Sequence, residues 1–153
     1  MASLGYNPVQ SVALNQGAIF DTMIACPYGF VLHENQTPYF ILRGATDYPC
    51  QRFARYKVTA ISNIAIPTGG TVTPIAVALT VMGAVRADSR AIVTPAAVDE
   101  YFNVTCNDFI DVPKGCCFLV GIANVAASED PTYVAAPIIN MQNLNITVDR
   151  IAV

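Results

Sequence analysis

The chain has 153 residues and a mass of 16.3 kDa, the size of one domain, since chains of about 100–200 residues build a single core. Hydrophobic residues make up 54% and charged residues 12%, against about 45–50% and about 25% in soluble domains, so disorder is excluded and a lone monomer has few charges to wet its surface. A net charge of −3 and a pI near 4.8 give phosphate backbones no broad attraction, which argues against nucleic acid as a partner.

A mean hydropathy of +0.45 raises the question of a membrane. The longest uncharged run, residues 58–85, is long enough to span a bilayer, but Ser62, Asn63, Pro67, Gly69, Gly70 and Pro74 divide it into two strand-like stretches. Residues 131–148 fail in the same way at Asn140, Gln142, Asn143 and Asn145. No membrane span and no membrane partner are expected. Residues 1–10 carry no Lys or Arg and lead into no continuous apolar core, so no secretory signal is expected. Cys26, Cys50, Cys106, Cys116 and Cys117 then read as reduced thiols, and the Asn-x-Ser/Thr triplets at Asn35, Asn103 and Asn145 as chance matches.

In chain order, residues 17–24, 30–34 and 39–43 read as irregular strands separated by Pro27, Gly29, Asn35, Pro38 and Gly44. Arg43, Arg52, Arg55 and Lys57, with only Asp47 among them, read as a solvated strand face rather than a docking patch for an acidic surface. Residues 55–66 are rich in β-branched side chains and end at Pro67-Thr68-Gly69-Gly70. In residues 74–82, Ile75, Val77, Leu79 and Val81 alternate with Ala76, Ala78, Thr80 and Met82, so both faces are largely apolar. Residues 91–94 form a short strand stopped by Pro95. Residues 97–106 alternate Val98, Phe102, Val104 and Cys106 against Asp99, Tyr101, Asn103 and Thr105, with Glu100 unexplained on the apolar face. Residues 107–115 read as a loop, and residues 116–123 as a strand apolar on both faces. Leu144, Ile146 and Val148 alternate with Asn145, Thr147 and Asp149 in a half-buried last strand. Short strands at roughly 8–12-residue spacing predict an all-β fold, an antiparallel sandwich of the jelly-roll type. The surplus apolar faces call for a symmetric oligomer contact.

Chemistry finds little support. His33 is the single histidine, and its surroundings in sequence match no thiol-enzyme pattern with Cys26 or Cys50. Cys116 and Cys117 are adjacent, so in a strand they point to opposite faces and cannot share one metal site. Asn107, Asp108 and Asp111, or Glu129 and Asp130, offer oxygen ligands for calcium, but solvated loop carboxylates are the commoner reading. Gly69-Gly70 has no lysine beside it and is turn chemistry. No enzyme, cofactor or metal is expected.

The stretches RYKVTAISNIAIPTGGTVTPIAVALTVMG, IVTPAAVDEYFNVTC, IDVPKGCCFLVGIAN and NLNITVDRIAV resemble small structural proteins of tailed phages and prophages. Their order is also similar to the jelly roll of the tumour necrosis factor and complement globular-head superfamily, whose members are homotrimers. The resemblance implies one jelly-roll domain over residues 16–153, preceded by an arm over residues 1–15. Strand faces carrying Ile75, Val77, Leu79, Val81, Phe118, Leu119, Val120, Ile122, Leu144 and Ile146 are the expected trimer contacts. Leu4, Tyr6, Val9, Val12 and Leu14 are the arm residues expected to touch a capsid. The implied role is a decoration protein that binds the major capsid protein as a homotrimer, assembled in the host cytoplasm and carried on the virion. The alternative is a receptor-binding or fibre-tip domain, in which Tyr28, Tyr39, Tyr48 and Tyr133 would stack on surface sugars.

Overall fold

The computed structural model describes residues 1–24, 29–45 and 49–151. Its elements are β1 (Ala2–Tyr6), β2 (Gln10–Ala13), β3 (Asp21–Ile24), β4 (Val31–Leu32), β5 (Phe40–Arg43), β6 (Phe53–Ala65), β7 (Ile75–Val81), β8 (Ala84–Val85), β9 (Ala91–Val93), β10 (Phe102–Pro113), β11 (Cys117–Val125) and β12 (Ile138–Ile151), with one 3₁₀ turn at Ala87–Ser89. Two antiparallel sheets pack face to face. The first runs β10-β6-β12-β1-β3 with β2 also on β12, and the second β4-β5-β11-β7-β8 with β9 also on β7.

Strict alternation builds the first sheet. Along β6, Ala54, Tyr56, Val58, Ala60, Ser62 and Ile64 are buried, while Arg55, Lys57, Thr59, Ile61 and Asn63 point outward. β10 and β12 flank β6 in register, pairing Ile110 and Arg150 with Tyr56, and Cys106 and Ile146 with Ala60. From the second sheet, Phe40, Leu42, Ile75, Val77, Leu79, Val120 and Ile122 meet these residues in one continuous core. The Tyr56 hydroxyl donates to the Arg43 carbonyl, which gives this wholly buried phenol its polar partner.

Turn chemistry sets the ends. Met82 and Gly83 both have positive φ, 53° and 81°, as a two-residue hairpin between β7 and β8 requires. The Met82 Sδ also lies 3.2 Å from the Leu119 amide, which donates to it.

Three stretches differ from the expectation. Residues 107–113 are strand, not loop, because the Asp108 and Asp111 carboxylates are held by Arg86 and Arg55 at 2.7 Å each and so sit comfortably on β10. Residues 97–101 are loop, not strand: Glu100 turns back to accept the Ala96 and Ala97 amides at 3.0 and 3.2 Å, which accounts for its place in the alternation. Residues 17–20 run outside β3 and dock on β11, where the Ala18 amide donates to the Ile122 carbonyl at 2.9 Å.

The residues expected to form an arm are built into the sandwich. Leu4 and Val12 are core residues, and Tyr6 packs against that core. β1 and β2 pair with β12, setting Leu4 opposite Ile146 and Val12 opposite Ile139. Leu14 is half-buried and bridges to Asn124, and only Val9, between β1 and β2, is freely exposed. Apolar alternation at residues 2, 4 and 6 buries this segment against β12 instead of leaving it for a shell.

Two positions test the packing. A Cβ on Gly121 would lie 2.4 Å from the Pro38 carbonyl oxygen, a backbone atom with little freedom to retreat. Gly121→Ala is expected to cost about 2 kcal/mol or more in urea-induced unfolding. Among the described residues Ser62 Oγ is buried without a hydrogen-bond partner, so Ser62→Ala removes a desolvated dipole and should raise stability by about 1 kcal/mol in the same assay.

Candidate functional site

Seven of the ten residues expected at a subunit contact are committed to the protomer's own core. Ile75, Val77, Leu79, Val120, Ile122, Leu144 and Ile146 are each no more than 1% exposed. Val81 and Phe118 pack against the same core half-buried, and Leu119 alone is exposed, at 37%. On β7 size decides the faces: Ile75, Val77 and Leu79 point between the sheets, and the small Ala76 and Ala78 turn outward. Those alanines form a second cluster with Ala123, Val125 and Ala127, against which Tyr133 packs. The Tyr133 hydroxyl donates to the Pro74 carbonyl and pins this cover. The second apolar face of β7 and β11 is thus met from within the chain, by residues 127–133.

The outward face of the first sheet has a different character. Its cross-strand rows read Asn103–Asn63–Gln142, then Thr105–Ile61–Asn145, then Asn107–Thr59–Thr147–Ser3, all uncharged. The Asn103 amide donates to Asn63 Oδ1 at 3.1 Å, and that of Asn63 to Asn143 Oδ1 at 3.4 Å. Above this polar floor stand Ile61, Phe109 and Met23, exposed at 39%, 54% and 58%. Charge enters at one end, where Lys57 lies between Phe109 and Asp149 and Arg55 beside Asp111, and at the β3 edge, where Asp21 lies beside Gly5. The Arg55 guanidinium grips both Asp111 oxygens at 2.7 and 2.8 Å, and this hydrogen-bonded cation holds the carboxyl below the usual carboxylate range. Sequence alternation marks these residues as polar; it gives no sign that they make a flat face four strands wide.

The other candidates fall apart in space. Asp108 and Asp111 are partnered by arginines, and Asp130 accepts the Thr132 amide and hydroxyl, which pull its carboxyl below the usual range. Glu129 reaches toward Arg90 at 3.7 Å. Among the described residues no group of three or more His, Cys, Asp or Glu is placed to hold a metal ion, and no helix is long and apolar enough to cross a membrane. His33 spends both ring nitrogens on backbone carbonyls, Nδ1 at 2.8 Å from Tyr39 and Nε2 at 2.7 Å from Phe20, which leaves neither to activate a thiol. Cys26, Asp47, Tyr28 and Tyr48 lie outside the described residues. Tyr39 is 43% exposed beside a groove of about 320 Å³ that it lines with Leu32, His33, Glu34 and Ile41.

The arrangement of strands matches solved structures. A tumour necrosis factor, Eiger from S. frugiperda, superposes with a TM-score of 0.62 at 9% identity, covering 99% of this chain and 92% of that one. The globular domain of zebrafish complement 1qA gives 0.53 at 12% identity, covering 95% and 92%. The fold is their jelly roll. No family model matches the chain, and no curated protein matches it by sequence. At such identities the likeness establishes the jelly roll and leaves function to the surface.

Burial also separates the thiols of this jelly roll. Cys106 is 1% exposed, donates to the Val77 carbonyl, and is pushed up to about 11 by desolvation. At pH 8 it therefore stays a thiol. Iodoacetamide on the folded protein should leave Cys106 unmodified while the exposed Cys50, Cys116 and Cys117 are alkylated, and peptide mass mapping reads the difference.

Proposed function

We propose that this chain is a homotrimeric structural protein of a phage virion, a decoration protein that seats on the capsid surface and reinforces it without catalysis. The observation that carries the reading is the outward face of the first sheet. It is uncharged over three rows across β10, β6, β12 and β1, with Ile61, Phe109 and Met23 standing proud of it. Depletion of charge with projecting apolar side chains is the composition of an interface core. A jelly roll that matches tumour necrosis factor and complement heads supports a trimer, and the four sequence stretches resembling phage structural proteins support the virion.

Light scattering after size exclusion should give about three times 16.3 kDa, and Ile61→Asp with Phe109→Asp should reduce the mass to that of one chain, because each places a charge on the proposed contact. A wild-type monomer overturns the trimer. Stoichiometric binding to undecorated capsids is the expected second result, and its absence in a trimeric protein overturns the decoration role alone.

A second reading rests on the groove beside Tyr39. An exposed aromatic next to the Glu34 carboxylate is suited to a sugar, whose ring stacks while its hydroxyls donate. In that reading the protein binds bacterial cells without any capsid present, and Tyr39→Ala removes the binding.

A further inference from the structure

We propose that one end of the sandwich is a docking surface for an acidic protein surface, formed where the fold brings Arg43, Arg52, Lys114 and Arg150 together from three parts of the chain. β5, β10 and β12 finish at this end, and β6 and β11 begin there. Close contacts tie the four positions to one another. The Lys114 amide donates to the Arg52 carbonyl at 2.8 Å, and the Gly44 amide, next to Arg43, donates to the Cys116 carbonyl at 2.8 Å. The Tyr56 hydroxyl donates to the Arg43 carbonyl, and Tyr56 stands opposite Arg150 where β6 pairs with β12. The Arg150 guanidinium lies 3.8 Å from the centre of the Phe30 ring, and the Phe30 carbonyl accepts the Arg43 amide at 3.0 Å.

Charge is divided unevenly between this end and the rest of the chain. Arg55 and Lys57 follow within the first five residues of β6, so six of the eight lysines and arginines gather here. Asp111 and Asp149 stand across the strands from Arg55 and Lys57. Granting this end Asp47 as well, which lies outside the described residues, six cations meet three carboxylates, while elsewhere two cations meet eight carboxylates. A chain of net charge −3 thus carries a positive end. Sequence spacing reads Arg43, Arg52, Arg55 and Lys57 as one solvated strand face, but the fold divides them. Arg55 grips Asp111, whereas Arg43 and Arg52 are exposed at the rim and have no carboxylate partner among the described residues. Lys114 is exposed beside them.

The chemistry favours carboxylates on a protein over a phosphate polymer. Arginine forks take a carboxylate by both oxygens, as Arg55 does with Asp111 at 2.7 and 2.8 Å. A long phosphate backbone would run past this end onto a molecule whose other charges are mostly negative, whereas an acidic patch on a protein meets the end alone.

In the decoration reading, on which the identity of the partner rests, the capsid presents that acidic patch beneath each protomer. Arg43 belongs to the second sheet and Lys114 to the turn after β10, so a subunit contact on the first-sheet face that carries Ile61, Phe109 and Met23 leaves them open. A threefold axis sets the three basic ends at one level, and three modest contacts to one rigid surface then act together.

A fluorescent decaglutamate peptide is the probe for the end itself. Anisotropy should show binding that weakens about tenfold or more between about 50 and about 200 mM salt. Arg43→Gln with Arg52→Gln should weaken it by a further factor of about ten. Val72→Glu with Val134→Glu, at exposed positions before β7 and β12 and so at the opposite end, alters the net charge equally and should leave binding within about twofold. Absence of binding at low salt, equal weakening by both pairs of substitutions, or equal binding of an oligothymidylate of the same charge overturns the acidic docking end. Phenylglyoxal labelling of the wild type needs no variant: the bound peptide should protect Arg43 and Arg52 and leave Arg86 reactive, and protection of all three alike overturns the proposal. Undecorated capsids separate this end from the role assigned to the protein. Capsid binding that Arg43→Gln with Arg52→Gln does not weaken overturns the docking end and leaves decoration standing, while decaglutamate binding without capsid binding overturns decoration and leaves the docking end standing.

Discussion

The two-residue alternation of β6, locked between β10 and β12, is the constraint on which the sandwich rests. A slip of one residue would turn Arg55, Lys57 and Asn63 inward and expel Tyr56, Val58 and Ile64. Burying that one face fixes the register of both neighbours. β12 follows it for most of its fourteen residues and shifts register only between Gln142 and Asn145, where Asn143 takes a φ of 54° and its amide donates to the Asn7 carbonyl. The irregularity in β12 thus becomes the point at which the turn between β1 and β2 is attached.

Where alternation is long, the sequence is readable. β6, β7 and β11 fall within a few residues of their expected bounds, because the apolar runs are closed by Pro67 to Gly70 after β6 and by Gly83 after β7, and opened by Gly115 before β11. β1 and β2 are too short, and too interrupted by Gly5, Asn7 and Pro8, to announce themselves; their existence depends on β12, which lies at the far end of the sequence. The end of β10 is concealed for an electrostatic reason: Asp108 and Asp111 look like loop residues until Arg86 and Arg55 are seen to reach them.

The candidate site shows the same division. Alternation shows that β7 and β11 have two apolar faces, but which face is inner depends on the volume available between the sheets, and the large side chains take it. What covers the small face is a tertiary fact, supplied by Tyr133 across a long stretch of chain. The uncharged face of the first sheet could not be read from any one strand, since it exists only when β10, β6, β12 and β1 stand side by side. His33 is the opposite case: its solitude is plain in the sequence, while its meaning lies in two carbonyls contributed by segments on either side of it.

The pairing of β1 with β12 also bears on how the molecule comes into being. Ala2 lies opposite Val148, so β1 has no lateral partner on that side until β12, at the opposite end of this domain, has left the ribosome. Closing such a distant pair carries a large entropic cost, and sheets dominated by non-local pairing assemble slowly. During synthesis Leu4 and Tyr6 must wait, apolar and uncovered, for residues that do not yet exist. Completion of this domain is therefore a late, concerted event, and a nascent chain lacking its last strand has no means of sheltering its first.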